Sequence, residues 1–580
     1  MATTVRPPTT EGAPEGREAA APRVNVAGML SPELKEVTER HPHVLDYIQT
    51  LPISEAGVPR YHSELSRKLG DDKEPNYIYP TNRDGVFIHI LHNPNDTRNS
   101  YITIEPSLGM DLSGLMLKVE MKLLELRERL GGLDPERDKE EQMYEYLDQV
   151  TTVGGEMGLG FIEGQFGFLR RGGAKVSRVK VTEREKEGLR YLFSRDRLGL
   201  GVLDPLAADP HIEDISCSGR GQVFIEHKIF KALKSSVTFE TMEELDEFVL
   251  WLSERIKKPV TYRRPIVDAT LPDGSRINIV FGREVSRRGS NFSIRKFAGT
   301  PISIFELVEF GSINYQMLAY LSLVIGHEMN VFVSGETASG KTTLLNAVTT
   351  FIHPMAKVVS IEDTPELQVP HKNWIREVVQ TTKMEEGSGV NMFDLLKAAL
   401  RQRPNEIIVG EIRGPEGNVA FQAMQTGHAV MATFHAASVE KLIQRMTGNP
   451  ISVPKSYVDN LNVVILCSMV KLPNGRMGRR ITGINEIIAY DPVFDSFTFV
   501  EIFHWNESTD TFEFTGRMTS VILENKVAPK MGIASTKKQR IYAEVDRRAM
   551  ILEKLHKEQG ITGFYEILEV LGRAQRQGLF

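Results

Sequence analysis

The chain has 580 residues, of which 41% are hydrophobic and 25% are charged, and its formal net charge is −6. A chain of this length and composition can bury several hydrophobic cores, and we expect roughly three or four domains. The acidic balance argues against a generally basic surface of the kind that binds nucleic acid non-specifically.

The cysteine content and the apolar runs exclude further classes of protein. Cys217 and Cys467 are far apart and form no C-x-x-C pair, which argues against a zinc ribbon or a disulfide framework; we expect two buried thiols in a reducing cytoplasm. No apolar run reaches the roughly 18 residues of a spanning helix, and the amino terminus lacks a signal-peptide core. We therefore expect a cytoplasmic protein that reaches a membrane only peripherally, through partners or a surface.

The amino-terminal half divides into three predicted segments. Residues 1–28 are rich in Pro, Ala, Gly, Glu and Thr and predict a disordered tail. Residues 29–150 predict an α/β segment, with helical patterns first and then alternating strand patterns between Asn, Asp and Gly turns. Residues 151–298 alternate short strand patterns with one helix and predict an α+β domain.

The carboxyl-terminal half predicts a P-loop domain over residues 299–490 and a helical extension over 491–580. The extension contains an amphipathic helix near Tyr542 to Leu555. Packing against the body of the protein is one interpretation of this helix, and docking of a partner is the other.

A phosphate-binding motif lies between an apolar strand and a helical pattern in NVFVSGETASGKTTLL. Backbone N–H groups of such a glycine-rich turn cradle phosphates at a helix amino terminus, while the lysine reaches the β- and γ-phosphates and the hydroxyl of Thr342 ligates Mg²⁺. The predicted ATP-binding residues are Gly335, Glu336, Thr337, Ala338, Ser339, Gly340, Lys341, Thr342 and Thr343.

Three further apolar runs, VVSIED, EIIVGE and AVMATFH, predict buried strands of a parallel sheet. The carboxyl ends of parallel strands lie at the same edge, where ligands bind. We therefore expect Glu362, Glu411 and His435 to gather near the P-loop.

The two glutamates are the candidate acidic groups for hydrolysis. We favour Glu411 as the group that polarises water and Glu362 as a second acidic group near metal or water. Gly410 stands where many P-loop enzymes carry a Mg²⁺-associated aspartate, so the division of labour stays open. Either glutamate could instead cap a helix or pair with Arg413.

His428 and His435 flank the last of these runs. Seven positions of extended chain would separate them by about 20 Å, so one metal ion cannot bind both. His435 is a candidate γ-phosphate sensor, whereas His428 follows Gly427 at a helix-to-strand junction. The alternative for each is a structural imidazole.

Several arginines precede the P-loop domain, and arginines supplied from another domain or subunit stabilise charge in phosphoryl transfer. Our candidate pair is Arg276 and Arg295. A solvated basic strand edge is the alternative interpretation for each.

Four ordered blocks, GETASGKT, SIEDTPELQ, IIVGEIR and TGHAVMATFHA, resemble the Walker A, Asp box, Walker B and His box of the secretion and type IV filament ATPases. Upstream, DPLAADPHIEDISCSG and VDATLPDGSRIN are similar to the N-terminal domain of that superfamily. NYIYPTN and the segment from INEIIAYDP through LENKVAPKMGI look most like its archaeal branch, particularly the archaellum motor ATPase. Bacterial relatives often carry a four-cysteine zinc module, which this sequence lacks.

The resemblance implies a hexameric ring of RecA-like α/β domains with a largely parallel sheet, each preceded by α+β N-terminal domains that cover the nucleotide. It implies Mg²⁺-dependent ATP hydrolysis that drives a polytopic membrane platform protein, together with accessory motor proteins, to assemble or rotate an archaeal filament. An adhesive pilus or a type II/IV-like secretion system is the alternative. A RecA-like nucleic-acid motor and a nucleotide-gated scaffold without turnover are the competing hypotheses, and we expect no nucleic-acid partner.

Overall fold

The computed structural model describes residues 26–66, 69–70, 72–126, 134, 137–154, 178–297, 299–379 and 390–580. The chain divides by its internal contacts into two compact units, Met1–Phe297 and Ala298–Phe580. Of the disordered tail predicted for residues 1–28, all but the last three residues lie outside the described part of the chain.

The first unit is built on a ten-stranded, mostly antiparallel sheet with the order β1-β2-β3-β4-β9-β8-β7-β12-β11-β10, and a separate parallel pair, β5 and β6, lies outside that sheet. Its strands are β1 (Arg60–Tyr61), β2 (Asn76–Pro80), β3 (Phe87–Leu91), β4 (Ser100–Ile104), β5 (Thr151–Val153), β6 (Val179–Val181), β7 (Ile212–Cys217), β8 (Gly221–His227), β9 (Lys231–Phe239), β10 (Ile266–Thr270), β11 (Arg276–Val280) and β12 (Asn291–Arg295).

Helices cover the first unit's sheet and form a separate cluster beside it. They are α1 (Pro32–Arg40), α2 (Pro42–Thr50), α3 (Ile53–Ala56), α4 (Ser113–Glu125), α5 (Lys139–Val150), α6 (Glu183–Arg197), α7 (Asp204–Ala208) and α8 (Met242–Arg255). Parallel pairing of β4 with β9 joins strands from residues 29–150 to strands from residues 151–298. One sheet therefore crosses the boundary that the sequence predicts near residue 150.

The second unit contains a nine-stranded sheet with the order β15-β14-β16-β17-β13-β18-β19-β20-β21. Its strands are β13 (Val331–Gly335), β14 (Val358–Glu362), β15 (Trp374–Val378), β16 (Glu406–Val409), β17 (Ala429–Phe434), β18 (Val463–Lys471), β19 (Met477–Asp491), β20 (Ser496–Asn506) and β21 (Thr511–Glu513). The first six strands in this order, which end with β18, are parallel to one another. β18, β19, β20 and β21 then form an antiparallel meander.

Two hydrophobic cores lie on the two faces of this sheet. The helices are α9 (Ile304–Glu309), α10 (Tyr315–Gly326), α11 (Lys341–Val348), α12 (Met392–Arg401), α13 (Glu416–Gln425), α14 (Val439–Thr447), α15 (Ala528–Lys530), α16 (Arg540–Lys557) and α17 (Phe564–Arg576). Helices α12 to α14 cover one face, and α9 to α11, α16 and α17 cover the other.

The prediction of buried parallel strands is confirmed. Every residue of β13, β14, β16 and β17 is buried, which explains why their sequences are continuous apolar runs rather than alternating patterns. β17 lies between β13, which leads into the P-loop, and β16, which precedes Glu411. This arrangement confirms the predicted RecA-like P-loop fold.

The sheet continues past residue 490, into the segment predicted as a helical extension. β20 pairs along β19, and β21 pairs with β20, so the extension begins with strands and only then turns helical. The amphipathic helix is α16, and its apolar side chains, Tyr542, Val545 and Leu552 among them, are buried in the core shared with α10. The apolar face of α16 is therefore already buried within the second unit.

Neither cysteine forms a disulfide, and both are buried, as predicted. Among the described residues, no helix combines the length and the apolar character needed to cross a membrane.

Candidate functional site

The P-loop joins the carboxyl end of β13 to the amino end of α11. Gly335 leaves no room for a side chain, since a Cβ atom there would lie 2.2 Å from the carbonyl oxygen of Cys467. Gly340 has a φ of 93° and caps α11, and Ala338 also lies in the left-handed region, with a φ of 61°. This backbone turns the first amides of α11 toward the edge of the sheet, a geometry that suits an anion.

Hydrogen bonds within the loop fix its shape. The Nζ group of Lys341 and the hydroxyl of Ser339 both donate to the carbonyl oxygen of Glu336, each at 2.8 Å. Desolvation lowers the pKa of Lys341, and the nearby carboxylate of Glu411 opposes that shift. Lys341 and Glu411 both follow the carboxyl ends of parallel strands, β13 and β16, and the charge of Glu411 acts on Lys341.

Thr342 and Thr343 lie in the first turn of α11 and are half-buried. Asn346, one turn further on, accepts a hydrogen bond from the backbone N–H of Gln368 at 2.9 Å. This bond ties α11 to the segment that follows β14. The helix that carries the P-loop threonines is thus held against the segment that follows Glu362.

Glu362 ends β14, and its side chain is 2% exposed. One carboxylate oxygen accepts the backbone N–H groups of Glu366 (2.8 Å) and Leu367 (2.7 Å), and the other lies 3.4 Å from Nε of Arg376. Burial raises the pKa of Glu362 to about 7, although these amides and Arg376 oppose the shift. The carboxylate therefore organises the turn after β14 in addition to lying at the sheet edge.

Gly410 lies against the side chain of Glu362. A Cβ atom at position 410 would lie 3.2 Å from Cγ of Glu362, which is tighter than ordinary van der Waals contact. The space that a side chain at 410 would need is thus taken by Glu362 from the neighbouring strand. This contact explains the glycine that the sequence alone left unexplained.

Glu411 follows β16 on a loop that Glu416 and Thr433 hold in place. The carboxylate of Glu416 accepts the backbone N–H groups of Arg413 (2.7 Å) and Gly414 (2.6 Å). The hydroxyl of Thr433, on the adjacent strand, donates to the carbonyl of Gly410 at 2.5 Å. The loop is therefore fixed on both sides of Glu411.

The side chain of Glu411 is 27% exposed, and it pairs with Arg413 at 2.6 Å. The ion pair that the sequence left as an alternative is thus present. Pairing with Glu411 raises the pKa of Arg413.

His435 follows β17, and its loop is anchored from the P-loop strand. The hydroxyl of Ser334 donates to the carbonyl of Ala436 at 2.7 Å, and Arg445 donates to the carbonyl of His435. No hydrogen bond to the His435 imidazole is present within the described residues. His435 is thus a half-buried side chain on a rigid loop at the P-loop edge.

His428 precedes the same strand at its other end. Gly427 has a φ of 90° after α13, and Nδ1 of His428 lies 3.2 Å from the hydroxyl of Thr426. The separation of the two histidines to opposite ends of β17 is confirmed.

Arg276 and Arg295 are cross-strand partners on β11 and β12 in the first unit. Both are exposed, and Nε of Arg295 lies 3.2 Å from Asp214 on the next strand, while Arg276 lies 3.9 Å from Asp268. Two like charges directly opposite each other repel in a sheet. The two aspartates reduce that cost, and the pair presents positive charge to solvent.

Arg479, on β19, is a residue of the site that the sequence alone does not indicate. Its Nε–H group donates to the carbonyl of Ala338 in the P-loop at 3.0 Å. The only signal was a run of basic residues after β18, and nothing local in that run indicates which of them reaches the P-loop.

Together these residues place amide donors, one lysine and two carboxylates at the carboxyl ends of the parallel strands β13, β14 and β16. Within the described residues, no group of three or more His, Cys, Asp or Glu side chains is suited to hold a metal ion by itself. The fold and the site define a RecA-like P-loop domain.

The chain is similar to several known proteins. A family model described as type II/IV secretion system protein matches residues 198–476. An uncharacterized protein of Methanocaldococcus jannaschii is 40% identical over 555 residues, which cover 95% of this chain and 98% of the relative. The type IV secretion system protein PtlH of Bordetella pertussis is 28% identical over 270 residues, 43% of this chain and 79% of that protein. The ATPase DotB of Legionella pneumophila matches the structure with a TM-score of 0.37 and 17% identity, over 63% of this chain and 93% of DotB.

The chain belongs to the type II/IV secretion system protein family.

Proposed function

We propose that this protein binds ATP at its P-loop and hydrolyses it to drive a filament or secretion machine. The observation that carries the proposal is the P-loop itself, with Gly340 in the left-handed conformation and Lys341 at the start of α11. It is supported by the position of Glu411, which acts electrostatically on Lys341 from the next-but-one strand of the sheet.

Each residue has a stated role in this proposal. The P-loop amides and Lys341 bind the phosphates, which displaces the Lys341 ammonium from the carbonyl of Glu336. Glu411 orients the attacking water and accepts its proton, once its carboxylate turns from Arg413. His435 contacts the γ-phosphate, and Glu362 is the second acidic group at the edge.

The residues present fit a magnesium ion bound jointly by protein and nucleotide. Within the described residues the hydroxyl of Thr342 has no hydrogen-bond partner, so it is available as a ligand, and Glu362 lies at the same edge. A protein site with few ligands of its own suits Mg²⁺, which keeps several waters and uses substrate phosphates. When bound, the ion would neutralise charge on the β- and γ-phosphates.

Arg276 and Arg295 supply additional positive charge to the phosphates in the assembled protein, which we infer to be a hexameric ring. Their exposure and their opposed positions on adjacent strands support this role. Arginine suits it because a guanidinium stays charged and binds phosphate oxygens in pairs.

The machine that we infer is an archaeal type IV-like filament, the archaellum, driven through a polytopic membrane platform protein with accessory motor proteins. The extent of the likeness to a protein of Methanocaldococcus jannaschii supports an archaeal machine. The likeness to the type IV secretion system protein PtlH supports the alternative, an adhesive pilus or a secretion system. Such a motor would work on the cytoplasmic side of the membrane, held there by its partners.

Two experiments test these proposals separately. ATP hydrolysis by the purified chain is measured with and without Mg²⁺, and we expect Lys341→Ala to abolish binding and Glu411→Gln to abolish turnover while nucleotide still binds. Turnover by Glu411→Gln at the wild-type rate would refute the site. Gene deletion with swimming, adhesion and secretion scored separately then identifies the machine, and only loss of swimming alone supports the archaellum.

A further inference from the structure

The hairpin of β18 and β19 projects beyond the strand that leads into the P-loop. Gly335, the last residue of β13, pairs with Cys467. β18 continues for four residues to Lys471, and β19 returns from Met477 to Arg480 opposite those residues. The end of this hairpin therefore extends past the point where the P-loop begins.

Arg479 lies on the returning strand and rests on the P-loop. Its Nε–H group donates to the carbonyl of Ala338 at 3.0 Å, and its Cδ atom lies 3.4 Å from the position of a Cβ at Gly340. The side chain therefore contacts both ends of the short turn that precedes α11.

The charge of Arg479 is not neutralised. Within the described residues no carboxylate lies within ion-pair distance of its guanidinium, which is exposed. Arg480, the next residue, is buried and pairs through two nitrogens with Asp510, at 2.7 and 2.8 Å. Arg480 thus fixes the strand in place, and the guanidinium of Arg479 lies against the phosphate-binding turn without a carboxylate partner among the described residues.

Arg479 lies against the same turn that leads into Lys341 and the first residues of α11. Lys341 is the basic residue of the P-loop itself, and its ammonium donates to the carbonyl of Glu336. A guanidinium that uses only Nε still has both Nη groups to donate, and these match two oxygens of one phosphate.

We propose that Arg479 is a phosphate-binding residue of the nucleotide site, acting within its own chain. This proposal rests on the proposed binding of ATP at the P-loop. Arg479 holds the polyphosphate from the hairpin side while Lys341 holds it from the loop, and Arg480 with Asp510 keeps the hairpin in position.

Equilibrium titration with a fluorescent ATP analogue and the matching ADP analogue tests the role of Arg479. Loss of a charge-assisted hydrogen bond to phosphate weakens binding about ten- to a hundredfold, so we expect Arg479→Ala to raise Kd by that factor. Arg479→Lys keeps the charge but loses the paired donors, and its Kd should lie between the two. Thermal melting of each variant checks that the fold is intact.

Lys471→Ala is the matched control, since it removes one exposed positive charge from the same hairpin. A direct contact predicts less than about a threefold change for this variant, because at roughly 0.15 M salt separated surface charges are screened. If Lys471→Ala and Arg479→Ala raise the Kd equally, the effect comes from the general positive charge of the hairpin and not from a direct contact, and the proposal is overturned.

The remaining outcomes separate this proposal from the proposed function. If Lys341→Ala abolishes binding while Arg479→Ala binds both nucleotides as the wild type does, the nucleotide site stands and the role of Arg479 is refuted. If Arg479→Ala changes only the oligomeric state, measured by light scattering, then the cation serves a contact between copies and the proposal fails. If the wild type binds neither nucleotide, both proposals fall.

Discussion

Replacing Glu362 by glutamine should change how the stability of the protein depends on pH. Burial raises the pKa of this carboxyl from 4.5 to about 7. The folded protein therefore binds the proton more tightly than the unfolded chain does. The stabilisation from protonation is fully present below pH 4.5 and is lost as the pH rises through about 7.

The size of the effect follows from the shift. One pKa unit corresponds to about 1.4 kcal/mol, so the ionisation of Glu362 costs the folded state about 3 kcal/mol at pH values above its folded pKa. The amide of the Glu362→Gln variant carries no titratable proton, and its oxygen can still accept the two backbone N–H bonds at the end of β14. The difference in unfolding free energy between Glu362→Gln and the wild type should therefore grow in favour of the variant as the pH rises from about 4.5 to about 7.5, by about 3 kcal/mol in total.

Urea unfolding of both proteins without nucleotide, at half-unit pH intervals, measures this difference. Glu366→Gln is the control, because Glu366 lies on the same turn and is exposed to solvent. We expect the control and wild-type stability curves to run parallel. If the Glu362→Gln curve also runs parallel to the wild type, the carboxyl is not desolvated as the structure indicates.

Three further outcomes are expected. Arg480→Ala should cost about 2 to 3 kcal/mol in urea unfolding, because it strands the partly buried carboxylate of Asp510, whereas Asp510→Asn, which keeps an acceptor, should cost less. Burial raises the pKa of Cys217 to about 11 and of Cys467 to about 12, so a thiol reagent at about pH 8 should label neither in the native protein and both in denaturant. His435→Ala should lower kcat at least tenfold while changing the Kd for ATP less than threefold, and equal losses in both would contradict a role at the γ-phosphate.

The parts of the fold that the sequence predicts are those encoded locally. The P-loop turn needs glycine at 340 because φ is positive there, and this requirement appears as the glycine of the motif. The strand before it, β13, is buried along its whole length, and this burial appears as a continuous apolar run in the same stretch of sequence. The gathering of Glu411 with Lys341 follows from strand direction alone, because β13 and β16 are parallel and both residues follow the carboxyl ends of these strands.

What the sequence does not predict depends on pairing between distant segments. β4 pairs with β9 across more than a hundred residues, and β20 extends the second sheet beyond its predicted end. The contact of Arg479 with the P-loop depends in the same way on the register of β18 with β19. The pattern of a strand indicates which of its faces is buried but not which distant strand pairs with it, so the sequence predicts strands in both segments of the first unit without predicting that one sheet joins them.

The contact between Gly410 and Glu362 bears on which carboxylate orients water. A side chain at position 410 would compete with that of Glu362 for one space, so an aspartate at 410 and a glutamate at 362 do not fit together in this arrangement. The carboxyl group of Glu362 has one oxygen committed to the amides of Glu366 and Leu367, and it titrates near neutral pH. The side chain of Glu411 is partly exposed and forms an ion pair with the exposed Arg413, a cation that bound phosphate can attract away. These contacts support the proposal that Glu411 orients the water, with Glu362 as the second acidic group, which also shapes the turn beside it.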